Sequence, residues 1–550
     1  MVKKLYPSEY PVVIGIDFGT VYTRATYTIA ATEGQCHDIT KWPSQPEFSS
    51  LVPTVSLYDS STLKLVSWGS AAKEKIKKNQ QHQYYIIEHH KLFLEESYAK
   101  ETKLPPGLTD VGIISDFLRE IHNHIVSELR KGPGRQFEGR YRYCITVPSM
   151  WTDIAKNKMR EAMILAGLIH KRDHPDRLML VPETEATAIY CDRMYEGLDL
   201  KDNDEMMICD IGGGLMDLVT YHIKLDEEGK RTLQETVEGV GMRLGSKNID
   251  QNLSHYLPQK LSKIPNINHS HEVIEIMKDQ FIEQLKIAYD GTEELYLTIP
   301  MNDHLIGKTS PTLGLYNDTI SFSTEELDQH VYGPIVKTIL TLIHQQTKKS
   351  NNIKILLLVG SFGSSSYLSS RIMDLLKPLG INIIIPNRQE MAVCRGAVYY
   401  GLNPKKVSVR IPRQWYGIDI TSTFVEGLDP IEYKVISSDG QVRCDNRFSC
   451  FVKRGEPIEV SQCVTKKYST YFSKITTCAF YAGYTDQEPR YVIQQGVSKA
   501  FEFDVITPRL PNIPEGTPID FYIKIYFGEV EKRVEAIILD KTFDISCRFN

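Results

Sequence analysis

The chain has 550 residues, of which 41% are hydrophobic and 24% charged, and it carries a formal net charge of −5. That length exceeds what one hydrophobic core serves, and the mixture is that of a folded, water-facing protein built from several compact units. A near-neutral balance without a basic tail argues against a nucleic-acid backbone as main partner, and no apolar run is long enough to span a bilayer.

The N-terminal run MVKKLYPSEYPVVIGIDFG begins with basic residues, but its apolar part is short and is interrupted by Asp17, so it reads as a strand rather than a signal peptide. The segments 12–18 and 141–147 are β-branched or aromatic runs, whereas 154–168 shows helical spacing behind Thr152 and Asp153. The pattern restarts near Met206 with MMICDIGGG, followed by two candidate strands, LMDLVTYHIKL and TLQETVEGVG, and a long helical stretch, EVIEIMKDQFIEQLKIAYDG. Ser323 and Glu326 have capping-box spacing ahead of a helix running towards Gln346. The strand and turn KILLLVGSFGSSS then precede the helix YLSSRIMDLLKPLG, which implies two similar α/β lobes. Past Asn403 and Pro404 helical spacing stops, and short alternating runs such as PIEVSQCV, AFEFDVIT and PIDFYIKIYFGEV predict a β sandwich or barrel-like domain. The expected domains are 10–204, 205–404 and 405–550, with residues 1–404 folding without the tail.

Ten cysteines show no C-x-x-C pair, which points to reduced thiols in the cytoplasm or the nucleus; Cys444 and Cys450 read as separate thiols. GPGR at 132–135, KDNDE at 201–205 and the His269-Ser270-His271 run read as solvated loops.

Three turns carry the chemistry. In the first, Gly15-Ile16-Asp17-Phe18-Gly19-Thr20, an apolar strand delivers a carboxylate and then a flexible residue, so that backbone N–H groups can grip phosphate while the carboxylate holds a hydrated magnesium ion. An ordinary hairpin has the same pattern. The second, Asp210-Ile211-Gly212-Gly213-Gly214, repeats that grammar, and three successive glycines point to close approach by a ligand. Asp217 on the next strand is a candidate for the same cleft. The third, Gly360-Ser361-Phe362-Gly363-Ser364-Ser365-Ser366, lies between a core strand and an amphipathic helix, where a flexible linker is out of place.

The ordered set IGIDFGT, CDIGGGLMD and LLLVGSFGSSSYL resembles the two phosphate motifs and the adenosine motif of the actin, sugar-kinase and heat-shock-70 superfamily. VPSMWTDIAKNKMREAMILAGL followed by LVPETEATAIY is similar to the heat shock protein 70 family, and the Gly-Ser-Phe-Gly turn, the segment 397–404 and the β-rich tail resemble a divergent subgroup of it. The resemblance covers residues 10–404 and implies a two-lobed actin-like (ribonuclease H-like) α/β ATPase fold with an appended C-terminal β-rich domain. It implies ATP or ADP with Mg2+ as ligands. Asp17 and Asp210 would face the metal through water, and Gly19, Thr20, Val21, Gly212, Gly213 and Gly214 would wrap the phosphates. Lys91 stands at the family's catalytic lysine and Glu183 at the acidic residue of its first connecting motif. Glu283 and Lys286 match the pair that brackets ribose and adenine, and Gly360, Ser361, Gly363 and Ser364 the adenosine shelf.

The departures matter as much. Val21 and Leu215 stand where the family has threonines near the terminal phosphate, and losing a hydrogen bond used in the transition state costs roughly a hundredfold in rate. Ile287 replaces the adenine-stacking arginine, and neither an interdomain linker of the family type, a helical lid nor an acidic tail is found. The resemblance thus implies a slow nucleotide-dependent conformational switch or chaperone-like factor with a weak ATPase, meeting a protein client through the β domain. A pseudo-ATPase scaffold stands beside it. So does a small-molecule kinase of the same superfamily, although the first lobe shows no clear catalytic aspartate with sugar-binding groups.

Overall fold

Two hairpins of the same design open the two lobes. In the first, the strand Val12–Phe18 pairs antiparallel with Tyr22–Ile29 and parallel with Tyr141–Val147, which pairs parallel with Leu178–Pro182. In the second, Glu205–Ile211 pairs antiparallel with Met216–Leu225 and parallel with Ile353–Val359, which pairs parallel with Asn382–Ile384. The same pairing order, repeated, makes this a two-lobed actin-like α/β fold. The coordinates are a computed structural model, which describes residues 9–32, 34–45, 48–77, 83–194, 200–225, 231–265, 270–300, 305, 307–350, 352–437, 440–460, 462–471, 475–506, 514, 516–528, 530–538, 541–545 and 547–548.

The chain forms two compact units. The first comprises residues 1–150, 165–223 and 240–403, and holds both hairpins. In its first lobe the helix Asp110–Lys131 buries Ile113, Ile114, Phe117, Leu118, Ile121, Ile125 and Leu129, an apolar stripe at helical spacing. The side chain of Thr109 caps it by accepting from the Gly112 N–H. The second lobe buries Met207, Cys209, Ile211 and Leu218 against Leu253, Leu257, Phe281, Leu356, Leu358 and Leu368. The helix Gln389–Leu402 returns to the first lobe, packing on Val12–Phe18 and on the helix Glu183–Met194. Gly396 makes this approach possible, since a Cβ there would overlap the Ala186 carbonyl.

Two expected helices differ from their sequence reading. The capping box is present, with the Ser323 side chain accepting from Glu326 N–H and the Glu326 side chain accepting from Ser323 N–H at 2.9 Å. Its helix, however, is only Thr324–His330, and a new one, Gly333–Thr347, starts with Pro334 in its first turn. Proline lacks the N–H that would have continued the first helix, but it suits the start of a second. The stretch after His271 is α-helical only to Gln280 and then widens into a π turn, Phe281–Leu285, whose bond runs from Lys286 N–H to the Phe281 carbonyl. Residues 133–137 form a 3₁₀ turn, Ser270 caps His271–Gln280, and His269 lies outside the described residues.

The second unit comprises residues 151–164, 224–239 and 404–550. One sheet runs Lys434–Ile436, Val442–Val452, Trp415–Thr423, Ile475–Gly483, Val497–Ile506 and Cys547–Arg548, and the other Cys463–Tyr471, Pro518–Tyr526, Arg533–Ile538 and Lys541–Ile545. Their inner faces share a core in which Phe451, Phe480, Phe501 and Phe503 meet Phe521, Ile523, Ile525 and Val534, the alternation expected of a two-sheet domain. Two segments from the N-terminal part of the chain, 151–164 and 224–239, thus pack with residues beyond 403.

Ion pairs fix them there. Asp153, buried, accepts from Lys532 Nζ at 2.8 Å and from the Tyr416 hydroxyl at 3.1 Å; Arg160 grips Glu531 through two donors, at 2.5 and 2.6 Å; and Arg454 pairs with Glu238 at 3.0 Å. Burial works against the Asp153 charge, but Lys532 and Lys156 outweigh it and hold the carboxyl below its ordinary value. Asp153→Ala strands the Lys532 ammonium, which is only 8% exposed, and is expected to destabilise the unit by about 3 kcal/mol. The sign follows from the depressed carboxyl: this contribution is present above the unfolded aspartate pKa of about 3.9 and is lost as pH falls through the lower folded value. Urea unfolding of parent and variant at pH 7 and pH 3 measures both; an equal difference at the two pH values would refute the assignment. No described helix is long and apolar enough to cross a membrane.

Candidate functional site

The first unit holds a cavity of about 330 Å³ at the meeting point of the two hairpin turns and the turn after Ile353–Val359, within the size range of small-ligand sites. Its lining includes Asp17, Gly19, Thr20 and Val21 from the first turn, Asp210, Gly212, Gly213 and Leu215 from the second, and Gly360, Ser361 and Ser364 from the third. Lys91 and Glu183 complete its base.

The turns brace one another. Ile211 O accepts from Phe362 N–H at 2.9 Å and from Gly363 N–H at 3.3 Å, which locks the third turn onto the second. Gly360 adopts φ +87°, and a Cβ there would overlap the Ile211 carbonyl and come within 2.5 Å of Asp210 Oδ1, so the position admits only glycine. Gly212 and Gly213 give their carbonyls to Ser246 and Lys247, the first residues of the helix Ser246–Leu261 and the one after. Across the cleft Val21 touches the glycine turn: its Cγ2 lies 2.6 Å from where a Cβ on Gly213 would stand. Gly214 and Gly363 support these turns from outside the lining.

Lys91 sits in the 3₁₀ turn His90–Leu94, behind His89, whose φ of 58° turns the chain inward. It is 2% exposed and donates to Glu183, the first residue of the helix Glu183–Met194. Burial disfavours the Lys91 charge, yet Glu183, Asp17 and Asp210 together outweigh it and raise its pKa. Burial pushes Glu183 up to about 7 against the pull of Lys91. Asp210 is raised well above the ordinary carboxylate value by burial and by Glu183, Asp17 and Asp217. Asp17 is held from two sides, accepting from Arg24 Nη1 at 2.8 Å and from the Thr146 hydroxyl at 3.1 Å.

Other expected residues stand elsewhere. Asp217 is buried but points to the backbone, accepting from Ser149 N–H at 2.7 Å, and is not in the lining. Glu283 lies exposed on the π turn, while Lys286 is buried and pairs with Asp250 at 2.9 Å; neither lines the cavity. Ile287 packs against the core of the second lobe. Conversely, Arg24, Gln389, Glu390 and Val393 line the cavity without having been singled out. Gln389 and Val393 are legible only once the last helix is known to return to the first lobe; the signal for Arg24 was the hairpin register.

Among the described residues no group of three or more His, Cys, Asp or Glu side chains is arranged to hold a metal directly. The carboxylates at the cavity base nevertheless exceed what Lys91 and Arg24 neutralise, as the elevated Asp210 records. Such a set suits a hydrated dication held through water, and Asp17 and Asp210 are the residues that would hold it.

Residues 113–368 match the family model described as Hsp70 protein. The chain carries an Hsp70 domain. Over 559 residues it is 23% identical to heat shock 70 kDa protein 12A of Homo sapiens, covering 84% of this chain and 79% of that protein. It is 22% identical over 562 residues to heat shock 70 kDa protein 12B of Homo sapiens, with 84% and 78% covered. The chaperone protein dnaK of Cyanophora paradoxa is 23% identical over 303 residues, or 52% of this chain. The Hsp70 match spans the strand Ile353–Val359 and the second and third turns, while Asp17 and Lys91 precede it.

Proposed function

We propose that the Hsp70 domain binds ATP and ADP with hydrated magnesium in this cavity and acts as a slow, chaperone-like nucleotide switch, with a protein client or partner met through the C-terminal β-rich unit. The observation that carries the reading is the convergence of three glycine-bearing turns and the buried Lys91–Glu183 pair on one cavity with Asp17 and Asp210. Backbone N–H groups of Gly19, Thr20 and Gly213 bind phosphate oxygens, Gly212, whose own N–H is held by the Leu215 carbonyl, and Gly214 shape the turn behind them, and Ser361 and Ser364 border the adenosine. Magnesium, when bound, neutralises phosphate charge and orders water. Lys91 holds positive charge beside the attacked phosphate and Glu183 fixes its ammonium, so that positioning and electrostatics do the catalytic work.

Asp210 tests this. It carries a charge the apo fold disfavours, so Asp210→Ala is expected to leave the nucleotide-free melting temperature unchanged or higher. Loss of its share in holding the metal should weaken ATP affinity in magnesium by about tenfold or more. Thermal shift with ATP, ADP and no nucleotide, with and without magnesium, reads both effects. Unchanged ATP affinity in the folded variant would count against the site.

A second reading, nucleotide binding without turnover, is supported by Val21 and Leu215, whose apolar side chains line the cavity where the family resemblance puts hydroxyls.

A further inference from the structure

Arg24 is a cavity residue and, among the described residues of the lining, the only cation that the resemblance leaves without a role. The hairpin register sets it directly opposite Asp17, so both side chains leave the same face of the sheet, towards the cleft. The corresponding partner of Asp210 in the second hairpin is Asp217. Nothing in the repeated architecture therefore calls for a cation here.

The arginine is 12% exposed and places Nη1 on Asp17. Its Nε, by contrast, is buried and has no hydrogen-bond partner. A guanidinium presents five donors in a rigid fork, and a buried donor without an acceptor burdens the folded state. Asp17 thus accounts for one arm of a group that lines the cavity together with Gly19, Thr20 and Gly213.

Building on the nucleotide reading above, we propose that Arg24 is a phosphate-binding residue. While the guanidinium keeps its bond to Asp17, one of its remaining N–H groups donates to a non-bridging oxygen of a terminal phosphate of ADP or ATP. The cleft then contains a resident monovalent cation that takes on part of the charge neutralisation otherwise left to magnesium. Arginine suits this place because its fork can bridge a carboxylate and a phosphate at once, which a lysine ammonium does with less geometric definition.

The test must separate phosphate binding from mere support of Asp17. Support acts through the metal and disappears when magnesium is removed, whereas a direct phosphate contact persists. The affinities of ADP and of adenosine are therefore measured by calorimetry in magnesium and in EDTA, for the parent, Arg24→Met, Asp17→Asn and the Arg24→Met/Asp17→Asn pair, with circular dichroism as the folding check. The double variant removes both charges together, so it stays informative where Arg24→Met alone leaves Asp17 buried, unpaired and the fold impaired. In EDTA, Arg24→Met is expected to weaken ADP about tenfold or more relative to the parent, and the double variant by a similar factor relative to Asp17→Asn. Adenosine, which has no phosphate, should change less than about twofold.

Unchanged ADP affinity of Arg24→Met in EDTA overturns the proposal. So does full restoration by Asp17→Asn, which would mean that Arg24 only screens the aspartate, and so does a parent that binds ADP with magnesium but not measurably in EDTA. A parent that binds no adenine nucleotide under any condition removes the nucleotide reading itself, and this inference with it.

Discussion

Lys91→Met is expected to lower stability by about 3 to 5 kcal/mol at pH 8 and to cut ATP turnover by about a hundredfold or more. The lysine is 2% exposed, pairs with Glu183 and faces Asp17 and Asp210. Removing it leaves Glu183 without the cation that opposes its burial, and takes from Asp210 a positive charge that offsets Glu183, Asp17 and Asp217. The pH dependence has a definite sign. Glu183 titrates near 7 in the folded protein, above the ordinary glutamate value of about 4.3, so its charge burdens the fold as pH rises through that interval. Below it the carboxyl takes up a proton and Lys91 has less charge to balance. The difference between parent and variant should therefore be large at pH 8 and shrink towards pH 5. Urea unfolding at the two pH values checks the first part and single-turnover hydrolysis the second. A difference that grows on acidification would mean that Lys91 is not the counter-ion of this cluster.

The second large effect concerns the missing hydroxyls. Val21→Thr together with Leu215→Thr is expected to raise single-turnover ATP hydrolysis about tenfold or more, with little change in ATP affinity. Both side chains line the cavity, and neither can donate a hydrogen bond. A hydroxyl aimed at charge that develops in the transition state gains most in a cleft with little water. The two substitutions differ in cost. Val21 is half-buried and keeps its shape as threonine, although one methyl now in contact with Gly213 becomes a hydroxyl. Leu215 is 8% exposed, and shortening it leaves a void that costs on the order of 2 kcal/mol. Measuring each single variant beside the double therefore separates loss of stability from gain of rate. A parent that already turns over like a conventional heat-shock-70 protein, or a folded double variant no faster than the parent, would show that these hydroxyls do not limit the site.

What the sequence made legible, and what it did not, follows from the range over which each signal acts. Asp17 with Gly19 and Thr20, and Asp210 with the glycines after it, belong to strand-and-turn units a few residues long. Local chemistry specifies them, and the structure sets them around one cavity. Arg24 carries no local mark: its meaning depends on the register that puts residue 24 opposite residue 17. Glu283 and Lys286 illustrate the reverse. Their spacing fits one helical face, but the helix widens into a π turn after Gln280, Lys286 pairs with Asp250, and neither residue is in the cavity lining. The β-rich character of the tail was plain from alternation and turn residues. The packing of 151–164 and 224–239 with it was not, because it rests on Asp153, Arg160 and Glu238 finding Lys532, Glu531 and Arg454 some two to four hundred positions away.

The close seating of Gly396 against Ala186 has a mechanical consequence. Four residues separate the helix Gln389–Leu402 from the last strand of the second lobe, Asn382–Ile384, yet its backbone is pressed onto the helix Glu183–Met194 of the first with no side chain between them. Packing that tight has no slack, so the helix travels with the first lobe as one piece. Any change in the angle between the lobes on this path must then be absorbed by Ile385, Pro386, Asn387 and Arg388. Proline fixes one torsion of that short span, and Arg388, at φ 55°, already occupies a conformation that L-residues rarely adopt. On this crossing the motion is thereby confined to four residues, while the other crossing between the lobes runs from the helix Glu183–Met194 to the strand Glu205–Ile211. The four-residue span ends beside Gln389 and Glu390, which line the cavity, so the pivot and the ligand pocket share an edge.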